Sequence, residues 1–178
     1  MSTVKFNLPT ILTFSRIILI PFFLFVTPIS PLVGIAIFLI ASATDFLDGY
    51  LARRSGQITK FGMILDPIAD KFLVISALFL LVDMSRLDVF IAVIITVREF
   101  LVTGLRAVAL SKDIVIPAET GGKLKTAAQM IAIILLLLPG SVVDIDFYDM
   151  GLVLMYIAMV LAIVSGVKYT VSFWKRIQ

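Results

Sequence analysis

The sequence contains neither cysteine nor histidine among its 178 residues. The absence of cysteine excludes disulfide bonds and thiolate metal ligands, and it leaves the redox compartment open. Without histidine the chain has no imidazole metal ligand and no route to a phosphohistidine intermediate. Oxygen atoms remain as the main metal donors, and they favour hard cations such as magnesium, manganese or calcium.

Charged residues are also scarce. They make up 15% of the chain, whereas 61% of it is hydrophobic. The mean hydropathy is +1.13, and a soluble domain would carry about a quarter charged residues. The composition therefore indicates an integral membrane protein with no room for a separate soluble domain. A cleavable signal peptide is not expected, because the apolar run after Asn7 is too long and lacks a small-residue cleavage site.

Six apolar stretches are long enough to cross a bilayer as helices, which takes about 20 residues each. The sequence predicts an all-α bundle of six transmembrane helices at 9–28, 32–54, 61–82, 87–110, 121–140 and 149–173. These helices form a single predicted domain over residues 1–178, with 1–8 as an interfacial or flexible lead. Lysine and arginine are concentrated at both termini and in the second and fourth loops, so both termini are predicted to be cytoplasmic.

Four aspartates lie at the ends of two adjacent predicted helices. Asp45 and Asp48 are three residues apart and Asp66 and Asp70 are four apart, so each pair shares one helix face. If the helices form an antiparallel hairpin that turns near residues 56–57, the pairs lie at matching depth on the cytoplasmic side. Four clustered carboxylates repel one another unless cations lie between them. The sequence therefore predicts a divalent-metal site.

Small and basic residues suggest that this site takes a phosphate-bearing ligand. Gly49, Ala52 and Gly62 continue the aspartate faces, where they allow either close helix packing or the approach of a nucleotide. Arg53 at the cytoplasmic end suits a phosphate group. A cationic lining would form if the other spans surround the hairpin, and its candidates are Arg16, Arg98, Arg106, Lys123 and Lys125. Cations beside a metal site favour a substrate with more than one phosphate.

Each charge within a predicted span has an alternative interpretation. It could belong to an ion pair that fixes helix packing, or to a long side chain that reaches the headgroups. This alternative stays open for Glu99, which is flanked by Arg98 and lies close to Arg106, and for Lys71 beside Asp70. The linear sequence does not show whether the basic residues converge.

The aspartate stretch resembles the signature of the CDP-alcohol phosphotransferases. It reads Asp45-x-x-Asp48-Gly49-x-x-Ala52-Arg53, eight residues, then Gly62-x-x-x-Asp66-x-x-x-Asp70, with every fixed position filled. Three further stretches, at 7–16, 98–106 and 121–129, are similar to a bacterial branch of that family, the phosphatidylglycerophosphate synthases. The resemblance covers nearly the whole chain.

The resemblance implies a set of residue roles. Two divalent ions, magnesium or manganese, would be held by Asp45, Asp48, Asp66 and Asp70. Asp70 would also be the catalytic base that deprotonates the acceptor hydroxyl. The CDP-linked donor would lie along Asp48, Gly49, Ala52, Arg53 and Gly62. The phosphate of the acceptor would be bound from among Arg16, Arg98, Arg106, Lys123 and Lys125, with Arg98 and Lys125 preferred.

For the branch it resembles, the donor is CDP-diacylglycerol and the acceptor is sn-glycerol 3-phosphate. The products are phosphatidylglycerophosphate and CMP. A homodimer in the bacterial cytoplasmic membrane, with its active site facing the cytoplasm, is the corresponding expectation. No nucleic-acid partner is expected.

Other activities stay open at this point. A sister enzyme of the same family that uses inositol phosphate, serine or phosphatidylglycerol would carry the same aspartates. An intramembrane aromatic prenyltransferase is less similar, because its aspartate spacing differs and it needs more spans. A divalent-cation transporter would place carboxylates across the depth of the bilayer, whereas all four aspartates lie toward one predicted face.

Overall fold

A computed structural model describes most of the chain. It gives the backbone of residues 8–55, 60–111, 120–142 and 145–177, and the side chains of residues 15, 17–44, 71–109, 124–140 and 146–176. The helices are α1 Leu8–Val26, α2 Pro31–Ser55, α3 Lys60–Asp83, α4 Val89–Ser111, α5 Thr120–Leu137 and α6 Phe147–Ile177. The prediction of a helical protein is confirmed, with six helices in the described residues.

A short antiparallel ladder between α5 and α6 was not predicted from the sequence. Strand β1, Ser141–Val142, pairs with β2, Ile145–Asp146. Gly140, just after α5, has a φ of +83°, a backbone conformation that favours glycine. The carboxylate of Asp146 accepts a hydrogen bond from the backbone N–H of Tyr148 at 2.9 Å, which caps the start of α6. Asp88 caps α4 in the same way, through the N–H of Phe90 at 2.7 Å.

The chain divides into two compact units, Met1–Leu80 and Leu81–Gln178. In the first unit, α1 packs against α2. The rings of Phe23 and Phe38 are fully buried, with their centroids 5.9 Å apart. Thr27, also fully buried, donates its hydroxyl proton to the carbonyl oxygen of Phe23 at 2.6 Å. These contacts fix the turn that joins α1 to α2.

In the second unit, α6 packs against both α4 and α5. Ala132 on α5 and Ala158 and Ala162 on α6 are fully buried, and small buried residues allow helices to approach closely. Arg86, in the turn after α3, donates to the carbonyl oxygen of Leu136 at 2.8 Å and to that of Leu138 at 3.3 Å. A cation at this place satisfies carbonyl groups that the end of α5 leaves without helical partners.

Among the described residues, one helix is long and apolar enough to cross a membrane. It comprises Phe147–Arg176, and the mean hydropathy of its most apolar window is 2.4. Only 33% of that window is buried inside the protein, so most of its apolar surface faces outward. Three shorter apolar stretches fall below this length, at Ile17–Val26, Pro31–Thr44 and Leu124–Leu137.

Candidate functional site

Both predicted aspartate pairs lie within helices. Asp45 and Asp48 belong to α2, and Asp66 and Asp70 belong to α3, so the helical spacing assumed for each pair is present in the backbone. The aspartate side chains lie outside the described residues, as do those of Ala52 and Arg53 and the surroundings of Gly49 and Gly62. The predicted turn near residues 56–57 also lies outside them.

A polar cluster among the described side chains joins α4, α5 and α6. Oε1 of Glu99 accepts a hydrogen bond from Nη1 of Arg98 at 2.9 Å, and a second, short one from Nζ of Lys125 on α5. Arg98 also reaches α6, donating from Nε to the carbonyl oxygen of Ala162 at 3.0 Å and from Nη2 to Oγ of Ser165 at 2.6 Å. We call Arg98, Glu99, Lys125 and Ser165 the Glu99 cluster.

The Glu99 cluster is largely shielded from solvent and carries unequal charge. The side chains of Arg98 and Glu99 are 14% and 12% exposed, and that of Lys125 is 4% exposed. Two cations and one carboxylate leave one positive charge in excess. A group with more positive than negative charge attracts anions, so this cluster is suited to an anionic ligand.

Arg98 retains hydrogen-bonding capacity beyond these contacts. The guanidinium has five N–H groups, and three of them donate to Glu99, Ala162 and Ser165. For the other two, one on each terminal nitrogen, the described residues offer no partner. A guanidinium can donate two N–H groups to one phosphate, so Arg98 is a candidate for binding one.

Arg106 lies about two helical turns beyond Arg98 on α4. Its Cζ atom is 5.9 Å from the centroid of the Tyr169 ring on α6, an arrangement in which a cation is attracted to an aromatic face. The Tyr169 side chain is buried, and its hydroxyl has no hydrogen-bond partner among the described residues. Arg106 is thus tied to the same pair of helices as Arg98.

Gln129, Ser165 and Tyr169 were missed by the sequence analysis. Gln129 follows Lys125 by one helical turn, is 2% exposed, and its Nε2 has no partner among the described residues. A buried donor without an acceptor is unfavourable by about 1–3 kcal/mol, so Gln129 and Tyr169 mark places where a polar ligand or water would be stabilised. The sequence did contain a signal for these residues. Gln129 lies one helical turn after Lys125, and Tyr169 lies one turn after Ser165, so each pair puts two polar residues on one face of an apolar helix.

The remaining predicted basic residues are placed only by their helices. Arg16 lies in α1 and Lys123 in the first turn of α5, and the side chains of both lie outside the described residues. The structure therefore brings together Arg98 and Lys125 of the predicted set. Glu99 also forms the ion pair that the sequence left open as an alternative, since it bonds to both Arg98 and Lys125.

An apolar cleft of about 440 Å³ runs between α4 and α6 beside Arg98. Its other lining residues are Val93, Ile94, Val97, Leu101, Ile163, Gly166, Val167, Thr170 and Val171. The missing side chain of Gly166 leaves room for Arg98, because a Cβ atom there would lie 3.0 Å from Cγ of Arg98. The shape and lining of this cleft suit a hydrocarbon chain.

Comparison with known proteins extends the match beyond the aspartate stretch. Residues 6–164 match the family model of the CDP-alcohol phosphatidyltransferases. This range includes α1 to α5 and more than half of α6.

Three bacterial relatives share the name CDP-diacylglycerol–glycerol-3-phosphate 3-phosphatidyltransferase. The one from Bacillus subtilis strain 168 is 38% identical, over 97% of this chain and 98% of its own. The one from Rickettsia bellii is 39% identical, over 92% and 93% of the two chains. The one from Haemophilus influenzae is 42% identical, over 93% and 92%. The similarity is thus nearly full length on both sides.

Proposed function

This chain belongs to the CDP-alcohol phosphatidyltransferase family, and we propose that it transfers the phosphatidyl group of CDP-diacylglycerol to sn-glycerol 3-phosphate. The observation that carries the proposal is the nearly full-length similarity to relatives named for this reaction. The Glu99 cluster adds physical support. Its two cations suit an acceptor that carries its own phosphate, whereas a neutral acceptor alcohol would not require them.

In the proposed reaction the primary hydroxyl oxygen of glycerol 3-phosphate attacks the phosphorus that bears diacylglycerol. The bond from that phosphorus to the CMP oxygen breaks, and CMP leaves with the bonding electrons. Asp70 accepts the proton of the attacking hydroxyl as general base. The products are phosphatidylglycerophosphate and CMP.

The four aspartates, Asp45, Asp48, Asp66 and Asp70, are proposed to hold two divalent ions, magnesium or manganese. Members of this family generally depend on divalent metal, and a donor set made only of carboxylates on two helices fits hard cations. Such ions, when bound, stabilise charge on the attacking and leaving oxygens. The helical placement of both pairs supports a shared ligand face on each helix.

The donor and the acceptor are proposed to use different residues. Asp48, Gly49, Ala52, Arg53 and Gly62 lie along the CDP group, where the two glycines and the alanine leave room for the nucleotide. Arg98 and Lys125 bind the acceptor phosphate, and the two N–H groups left on Arg98 supply a bidentate contact. Further candidates for that phosphate are Arg16, Arg106 and Lys123.

We also propose that the chain is a single domain that crosses the bacterial cytoplasmic membrane six times, with both termini and the active site on the cytoplasmic side. The charge distribution supports this orientation, and α6 supports membrane insertion. The apolar cleft between α4 and α6 offers one place for an acyl chain. Finally, we propose that two copies of this chain form a homodimer.

The direct test is CMP release by the purified protein in detergent, with CDP-diacylglycerol and magnesium. Glycerol 3-phosphate, inositol phosphate, serine and phosphatidylglycerol are offered in separate reactions, each with a chelator control. We expect metal-dependent CMP release with glycerol 3-phosphate alone. Release with a different acceptor would identify a sister activity, and no release from folded protein with any acceptor would favour another donor or cation transport.

A further inference from the structure

Glu99 holds an unusual position in its cluster, since one of its oxygens, Oε1, accepts bonds from two cations. Arg98 approaches it from the same helix and Lys125 from α5. The Arg98 guanidinium and the Lys125 ammonium therefore both donate a hydrogen bond to the same oxygen atom. Without that oxygen, two like charges in a poorly solvated place would repel each other.

Arg98 and Lys125 reach Oε1 of Glu99 from different helices. Arg98 is anchored to α6 by two further hydrogen bonds, to Ala162 and Ser165. Lys125 carries its ammonium on a flexible four-carbon chain, and Glu99 is one partner that pairs with it through an opposite charge. Oε1 of Glu99 thus joins the Lys125 ammonium to a guanidinium that α6 also holds.

We infer that Glu99 is a positioning residue, whose Oε1 holds the Lys125 ammonium beside the Arg98 guanidinium so that the two cations form a ready-made site for the acceptor phosphate. The inference rests on the proposed function and assigns a role to a residue that is not itself expected to contact the substrate. Holding the cations in place in advance lowers the ordering cost of binding.

A simpler role for Glu99 would be to tie α4 to α5, with no effect on the acceptor. A third role would be to compete with the substrate, as an internal anion that the acceptor phosphate must displace. The three roles predict different changes in KM. Positioning predicts weaker acceptor binding when the charge is removed, a plain tie predicts no selective change, and competition predicts tighter binding.

The test compares wild-type protein with Glu99→Gln, which keeps the size of the side chain and removes its charge. We expect KM for glycerol 3-phosphate to rise about tenfold or more, the size expected for losing a charge-assisted contact. KM for CDP-diacylglycerol should stay within about twofold under the same reasoning. Glu99→Asp, which restores the charge on a shorter side chain, should give a KM between those of wild type and Glu99→Gln.

Arg86 provides a matched control, because it also links different parts of the second unit through hydrogen bonds but lies outside the Glu99 cluster. Arg86→Gln should lower the thermal unfolding midpoint and leave KM for both substrates unchanged. A fall or no change in the glycerol 3-phosphate KM of Glu99→Gln would overturn the inference. If Glu99→Gln is not recovered folded, Glu99→Asp decides by the same criterion.

Failure of the proposed function and failure of the role of Glu99 give different results in these experiments. A folded wild-type protein that releases no CMP with glycerol 3-phosphate contradicts the proposed function, and the inference falls with it. An active wild-type protein whose KM for glycerol 3-phosphate does not respond to Glu99→Gln contradicts only the role of Glu99.

Discussion

Asp48 and Asp70 have different parts in the proposed chemistry, although both are aspartates on adjacent helices. Asp48 is proposed to bind metal and donor together, whereas Asp70 also takes the proton from the acceptor. Asp70→Asn should therefore abolish turnover, by about 100-fold or more for a general base, and leave much of the donor binding. Asp48→Ala should lose metal and donor binding together. Donor binding and CMP release, measured in parallel at several magnesium concentrations, check both outcomes.

Asp83, an exposed carboxylate at the end of α3, is the matched control for these substitutions. Asp83→Asn should keep normal turnover and donor binding, because it removes a carboxylate from the same helix without touching the proposed site. Near-normal turnover in Asp70→Asn would remove Asp70 from the role of base.

Glu99 shows how far a single residue can be interpreted from the sequence. Its neighbour Arg98 is visible in the sequence, and that adjacency left an ion pair open as one interpretation. The contact with Lys125 is not visible, because the two residues are 26 positions apart and lie on different helices. Ser165 lies 67 positions from Arg98, and nothing in the sequence indicates that the two residues are in contact.

The junction of α1 and α2 depends on the absence of a side chain at Gly34. A Cβ atom at that position would lie 2.2 Å from Oγ1 of Thr27 and 2.8 Å from its Cβ and Cγ2, and Thr27 is fully buried. Gly34→Ala should therefore destabilise the protein by about 1–3 kcal/mol through overpacking. Thermal unfolding in detergent measures the change.

Gly104 on α4 is the control for that substitution. A Cβ atom there would meet nothing within 4 Å among the described residues. Gly104→Ala should stabilise the protein slightly, by up to about 1 kcal/mol, because alanine favours a helix more than glycine does. Equal effects of the two substitutions would show that the contact with Thr27 does not limit the packing of α1 on α2.

The helices themselves were predicted closely from hydropathy. The predicted span 61–82 corresponds to α3, Lys60–Asp83, and 32–54 corresponds to α2, Pro31–Ser55. The largest differences are at α5, which ends at Leu137 just before Pro139, and at α6, which continues to Ile177 because no helix-breaking residue follows residue 173. The two-residue strands β1 and β2 are too short to give an alternating pattern.

The proposed orientation in the membrane can be tested on α6 alone. This helix has 31 residues, or about 46 Å at about 1.5 Å per residue, which exceeds the roughly 30 Å of the hydrocarbon layer. Its ends carry exposed residues, Asp149 near the start and Lys175 near the end. Because the chain has no cysteine, a single introduced cysteine is the only thiol.

Asp149→Cys should react with a membrane-impermeant maleimide in intact cells, whereas Lys175→Cys should react only after the membrane is permeabilised. The cysteine-free protein is the control for background labelling. Reaction of Lys175→Cys in intact cells would contradict a cytoplasmic C-terminus, and reaction of both variants would contradict a single crossing by α6.

Which helices pack against one another could not be predicted from the sequence. Hydropathy locates each helix but carries no information on which helices are neighbours, since lipid-facing and helix-facing surfaces are both apolar. The packing of α4 and α5 on α6 therefore appears only in the structure. The proposed aspartate site is the opposite case, because its residues are close in sequence and their spacing predicts that each pair lies on one helix face.

The bonds of Arg98 have a consequence for how the chain is assembled during synthesis. Two of its three hydrogen bonds are to Ala162 and Ser165 on α6, which leaves the ribosome after α4. Until then, of these three bonds, the guanidinium of Arg98 has only the one to the adjacent Glu99. A newly made α4 is thus poorly suited to stand alone in lipid, and a helix made later completes the environment of an earlier one.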